Sequence, residues 1–204
     1  ELILTGHSLG AGAACLLNIM CHQRKLIGDR SVRCFAFASP PTFAPLALVP
    51  EAVATCVNYI HEVDVIPFIS VDSIRQLANK IQAIENQNYS WFQRLQLITK
   101  YSDPSTELLK AVKKAQQSRL ETKPGAPVLG IPGYANIWMK EQPGGGYDAQ
   151  ACDSIALTEL GILLDANMLD DHLPSSYERG LASLLEAMSL FNATPKSARS
   201  ERPS

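Results

Sequence analysis

The run ELILTGHSLGAGAACLLNIMCHQR, residues 1–24, decides the reading of this chain. Glu1 to Thr5 is a short apolar run of the kind that forms a buried strand. Gly6 ends it, and from Leu9 to about Arg24 the pattern turns helical and rich in Ala and Leu. Between the two stands Gly6-His7-Ser8-Leu9-Gly10, which fits G-x-S-x-G, the elbow that sets a nucleophilic serine on a sharp turn. Such a turn is strained and brings strand and helix backbones close, so a side chain at either flanking position is expected to clash, whereas glycine has no Cβ. Gly12, Ala13 and Ala14 are small enough for the helix to lie close to a sheet. A Gly-Ser turn with no chemistry is the competing reading, and it gives no reason for a strand directly before and a helix directly after.

Working outward, Val32 to Ala38 is a second apolar run, stopped by Ser39-Pro40-Pro41, and Cys56 to Ile60 is a third. Strands that alternate with helices predict an α/β fold with a mostly parallel sheet flanked by helices. From 71 to about 122 the composition shifts to long polar side chains. Helical spacing at Ile74, Leu77, Ile81 and Ile84, and again at Leu108, Leu109, Val112 and Leu120, predicts a helical insertion of two amphipathic helices joined by Tyr89 to Phe92. A lid over the site and a plain helical decoration are both open uses for it. Val128 to Ile131 and Tyr134 to Met139 read as strands on either side of Pro132-Gly133, and Ser154 to Thr158 as one more. Gly144-Gly145-Gly146 falls in a loop between the last strands. It lacks the strand-to-helix setting of a phosphate-cradling loop, so it reads as a flexible turn. Tyr177 to Phe191 predicts a closing helix. The expected organisation is one domain over 1–191 and a disordered tail over 192–204.

Composition narrows the partners. The chain has 204 residues, 46% apolar and 19% charged, enough for one core, and its net charge of -2 gives no basic stripe to capture a nucleic acid. The densest basic cluster, Lys110, Lys113, Lys114 and Arg119, has the spacing of a solvated helix face. Five cysteines (Cys15, Cys21, Cys34, Cys56, Cys152) show no paired C-x-x-C spacing, so they suggest neither a zinc site nor a disulfide framework. Most sit within apolar runs, where a reduced cysteine acts as a small hydrophobe, which leans toward a cytoplasmic or peripheral-membrane setting. The chain opens on Glu1 within a strand and reads as a fragment of a larger protein, so a signal peptide or anchor on an earlier part would be invisible.

A serine hydroxyl attacks only when a histidine takes its proton, and the histidine needs a carboxylate to fix its tautomer. The hydrolase order is serine, acid, histidine. Of the later histidines, His22 lies on the helix after the elbow and His61 near the end of a strand; His172 alone follows a late strand and precedes the final helix. For the acid, Asp64 comes just after a strand and before Pro67, at the sheet end where such enzymes gather catalytic groups; Asp72 and Glu62 are the alternatives. Asp170 and Asp171 read as loop-solvating charges, because neighbours in sequence point different ways, and His7 as a local packing or hydrogen-bonding residue. The backbone N–H of Leu9 supplies one donor of an oxyanion hole. The second would come from a loop before Glu1, so the isolated chain is expected to be unstable and inactive.

With these residues in place the sequence resembles the class 3 lipases of the α/β-hydrolase fold, in the branch that contains sn-1-specific diacylglycerol lipases. The resemblance rests on GHSLGAGAA (6–14), FAFASPPTF (35–43), NYIHEVDVIPFIS (58–70) and MLDDHLPSSYERGL (168–181). In the family's pattern the acid of the second-last segment falls on Asp64 and the base of the last on His172. Ser39 stands where a proline is expected, with no consequence for the chemistry. The family's usual lid before the nucleophile lies outside this sequence. The resemblance implies the C-terminal portion of such a fold, acting as a lipase that hydrolyses acylglycerol esters, diacylglycerol or triacylglycerol, through an acyl-enzyme on Ser8. It implies no metal and no organic cofactor, and a membrane or lipid-droplet surface as the place of work. A catalytically silent lipid- or protein-binding domain and an acyltransferase are the other functions this sequence allows.

Overall fold

The computed structural model describes residues 1–85, 90, 92, 128–163 and 165–193. In chain order the described elements are β1 (Leu2–His7), α1 (Leu9–Arg24), β2 (Val32–Phe37), α2 (Pro50–Ala54), β3 (Cys56–His61), α3 (Val71–Glu85), β4 (Ala135–Glu141), β5 (Tyr147–Cys152), α4 (Ser154–Leu160) and α5 (Pro174–Ala193). Single 3-10 turns sit at Leu46–Leu48 and Ile66–Phe68. The expected second helix of the insertion, around Leu108 to Leu120, and the expected tail lie outside the described residues.

The five strands form one sheet in the order β1-β2-β3-β4-β5. β1, β2, β3 and β4 run parallel, in registers that include His7↔Phe37, Cys34↔Cys56 and His61↔Met139. β5 turns back antiparallel to β4, pairing Asn136 with Cys152. Alternation along the strands assigns each residue to one of two faces. Cys34, Ala36, Cys56, Ile60 and Trp138 face α1 and α4, meeting Ala11, Ala14 and Cys15 of the first and Leu157 of the second. Met139, with Phe37, Tyr59 and Ile137, faces α5 through Tyr177, Leu181 and Leu184. The result is an α/β layering in which the carboxyl ends of the parallel strands share one edge.

Three expectations need correction. β1 is not buried on both faces: Ile3 is 56% exposed, because β1 pairs only with β2 among the described strands and one of its faces carries α1. Val128 to Ile131 is no strand but a single bridge between Gly130 and Phe43, since Pro127 and Pro132 bracket it and proline gives a ladder no N–H. Ser154 to Thr158 belongs to helix α4, not to a strand. The Asp153 carboxylate accepts the Ala156 N–H at 3.2 Å, a capped helix start that outweighs the short apolar run. The last strand is instead Tyr147–Cys152, which is largely exposed and so carries no apolar alternation. Gly145 and Gly146, both at φ +82, make the hairpin turn into it from β4.

Candidate active site

Ser8 joins β1 to α1 at φ 59 and ψ -127, a backbone state that costs a non-glycine residue strain. It is held there by its N–H on the Phe37 carbonyl at 2.9 Å and by its own carbonyl, which accepts the N–H groups of Ala11 and Gly12. The glycines around it are not equivalent. A Cβ on Gly6 would stand 2.2 Å from the Gly10 carbonyl oxygen, whereas one on Gly10 would meet nothing within 4 Å. The expected clash at both flanking positions therefore holds for Gly6 alone, because Gly10 lies on the exposed side of α1's first turn. Gly12 is close-packed too, but against Thr42 and Pro40 after β2, whose side chains would stand 3.0 and 3.2 Å from a Cβ at that position, not against the sheet.

The loop before α5 brings His172 to this turn. Its Nε2 lies 2.9 Å from Ser8 Oγ, and its Nδ1 lies 3.1 Å from each oxygen of Asp64. An ionised carboxylate can only accept, so the consistent tautomer has Nδ1–H donating to Asp64 and the Nε2 lone pair accepting the serine O–H. Asp64 is fully buried three residues past β3. Two further donors satisfy it: the Ile66 N–H at 2.9 Å on Oδ1 and the Tyr177 hydroxyl at 2.6 Å on Oδ2. Burial first, then the adjacent carboxylate, push the Tyr177 hydroxyl well above the ordinary phenol range, so it stays a donor. His7 Nε2 donates to the His172 carbonyl at 2.8 Å, with the two rings 4.7 Å apart, so His7 binds the histidine's backbone and not the serine.

The other candidates point elsewhere. Asp72 accepts from Gln76 on its own helix at 2.7 Å, and the Glu62 carboxylate takes the Glu141 N–H at the end of β4. His22 pairs with Thr55 Oγ1 at 3.1 Å, on the far side of α1 from the elbow. Asp170 is exposed, as expected of a loop charge. Asp171 departs from that expectation: its Oδ2 accepts the Val63 N–H at 3.3 Å, and its Oδ1 lies 3.4 Å from His61 Nδ1. The sequence marks Tyr177 only as the start of a helix, and no local signal in it points to Asp64.

Leu9, Leu169 and Leu173, the sequence neighbours of Ser8 and His172, are 81%, 65% and 49% exposed, which gives the edge an apolar rim. Cys15, Cys34 and Cys56 come from α1, β2 and β3 and hold their sulfurs within 4.8 Å of one another, a clustering that their wide sequence spacing hides. They are fully buried in the core beneath α1, where the thiols of Cys34 and Cys56 make Cys15 the most acidic of the three. No helix among the described residues is long and apolar enough to cross a membrane.

The family model described as Lipase (class 3) matches residues 1–73, the stretch that contains both Ser8 and Asp64. Over that stretch this chain is similar to the class 3 lipases. Diacylglycerol lipase-beta of Mus musculus is 38% identical over 89 residues, 43% of this chain and 13% of that protein. The chain thus corresponds to a small part of that relative's length. No solved structure matches it. The five-stranded, mostly parallel sheet with helices on both faces is the α/β arrangement of that family.

Proposed function

We propose that this chain carries the catalytic residues of a serine lipase, which hydrolyses acylglycerol esters through an acyl-enzyme on Ser8. The observation that carries the reading is the line from Ser8 Oγ through His172 to the buried Asp64, at 2.9 and 3.1 Å, on a serine held in a strained elbow. In the first half-reaction Ser8 Oγ bonds to the ester carbonyl carbon while its proton passes to His172 Nε2. Asp64 stabilises the resulting imidazolium, and the Leu9 N–H, in the first turn of α1, donates to the developing oxyanion. Collapse breaks the bond to the leaving glyceride oxygen, which takes the proton back from Nε2. Water then repeats the sequence, releasing the fatty acid and free Ser8. The steps need neither metal nor organic cofactor.

Two observations support an acylglycerol as substrate: the apolar rim of Leu9, Leu169 and Leu173, and the name of the mouse relative. An acylglycerol of this kind sits in a membrane or droplet, so the protein works at that surface. The test is hydrolysis of dispersed diacylglycerol by the full-length parent protein beside Ser8→Ala, Asp64→Asn and His172→Ala. Each substitution is expected to lower kcat by about three orders of magnitude or more. A Ser8→Ala protein as active as the parent would end this reading.

A further inference from the structure

A second histidine–carboxylate pair lies directly behind the Ser8–His172–Asp64 line. His61 is the last residue of β3, three before Asp64, and is only 1% exposed. Its backbone N–H donates to the Tyr177 hydroxyl at 3.2 Å, the same hydroxyl that donates to Asp64. Its Nε2 lies 3.0 Å from the Tyr147 hydroxyl of β5, and its Nδ1 lies 3.4 Å from Asp171 Oδ1. The Nδ1 contact is not aligned as a hydrogen bond, so it acts by charge. One tautomer suits both sides: Nδ1–H faces the carboxylate, and Nε2 accepts from Tyr147.

Asp171 directly precedes His172, and Val63, whose N–H it holds, directly precedes Asp64. The pair therefore ties the loop that carries the histidine to the turn that carries the acid. Burying an imidazole beside a carboxylate is costly compared with apolar packing, and burial indeed lowers the His61 pKa and raises that of Asp171. α5 makes room for this group. A Cβ on Gly180 would stand 3.3 Å from His61 Cδ2, so the helix keeps a glycine in its interior, where alanine is the better helix former.

We infer that Asp171 and His61 are positioning residues for the reaction: together they fasten the His172 loop to the Asp64 turn and so set the geometry between base and acid. The inference rests on the catalytic reading of Ser8, Asp64 and His172. Errors of about 1 Å in such a group lower rates by roughly a hundredfold, so a fastening of this kind acts on kcat and not on substrate binding.

The experiment compares the full-length parent protein with Asp171→Ala and Asp171→Asn on a soluble short-chain ester, with fluorophosphonate labelling of Ser8 in parallel. Asp171→Ala is expected to lower kcat and the labelling rate by about tenfold or more, with KM within about twofold. Asp171→Asn retains an acceptor for Val63 and should recover much of the kcat. A protein with Asp171→Ala that melts earlier yet keeps the parent's kcat and labelling rate would overturn the inference and leave the catalytic reading intact. A full-length parent protein that neither turns over ester nor labels at Ser8 would remove both. If Asp171→Ala does not fold, Tyr147→Phe decides: a fall in kcat at unchanged KM supports the fastening, and parent-like kinetics overturns it.

Discussion

At the scale of single residues, the two glycines of the elbow separate sterics from pattern. A Cβ on Gly6 would overlap the Gly10 carbonyl at 2.2 Å, and the contact is backbone, which cannot swing aside. Gly6→Ala should therefore destabilise by about 3 kcal/mol or more, or prevent folding. Gly10→Ala meets nothing within 4 Å and sits in a helix, so its melting midpoint should equal or exceed the parent's, consistent with the helix preference for alanine of about 1 kcal/mol. Denaturant unfolding of the two variants checks this. Equal losses at both positions would mean that the motif, not the contact, sets the cost.

At the scale of elements, α5 does more than close the sheet. Its first turn delivers Tyr177 to Asp64, and one turn later Gly180 admits the His61 ring and the Met139 side chain, each within 3.5 Å of a Cβ there. His61 is held from both sides by Tyr147 and Asp171, so it has little freedom to yield. Gly180→Ala should therefore lower stability in spite of its gain in helix propensity, whereas alanine at an unconstrained helical glycine raises it. Thermal unfolding read by circular dichroism decides the sign. A stabilised Gly180→Ala protein would show that the His61 ring has room to move.

For the molecule as a whole, the buried pair predicts how stability follows pH. Burial holds the folded-state pKa of His61 below its ordinary 6.5, so the unfolded chain binds that proton first, and stability is lost as pH falls from 7 through this range. Asp171 has the opposite sign. Its folded-state pKa is raised above 3.8, which makes the ionised form a penalty at neutral pH that is relieved only at lower pH, as the carboxyl takes up a proton. The expected profile is an unfolding free energy that falls as pH drops below about 7, and His61→Gln should flatten it. A parent-like slope in that variant would assign the pH response to other groups.

Local order along the chain determined the elbow, α1, the runs of β2 and β3 and the beginning of the expected helix at Val71, because a period, a glycine or a proline acts within a few residues. Sequence order also pointed to Ser8, Asp64 and His172, and the fold brings these three within hydrogen-bond reach. Where two local signals competed, the sequence misled: Ser154 to Thr158 has the apolar content of a strand, but Asp153 caps it as a helix, and polar β5 has no alternation to read. Only the tertiary structure decided which partners meet across the chain. Asp171 sits under His61, Tyr177 holds Asp64, and three cysteines share one spot beneath α1. Such pairings depend on how strands stack and loops return from more than a hundred positions away, as between Val63 and Asp171, and no periodicity in a sequence encodes a distance of that kind.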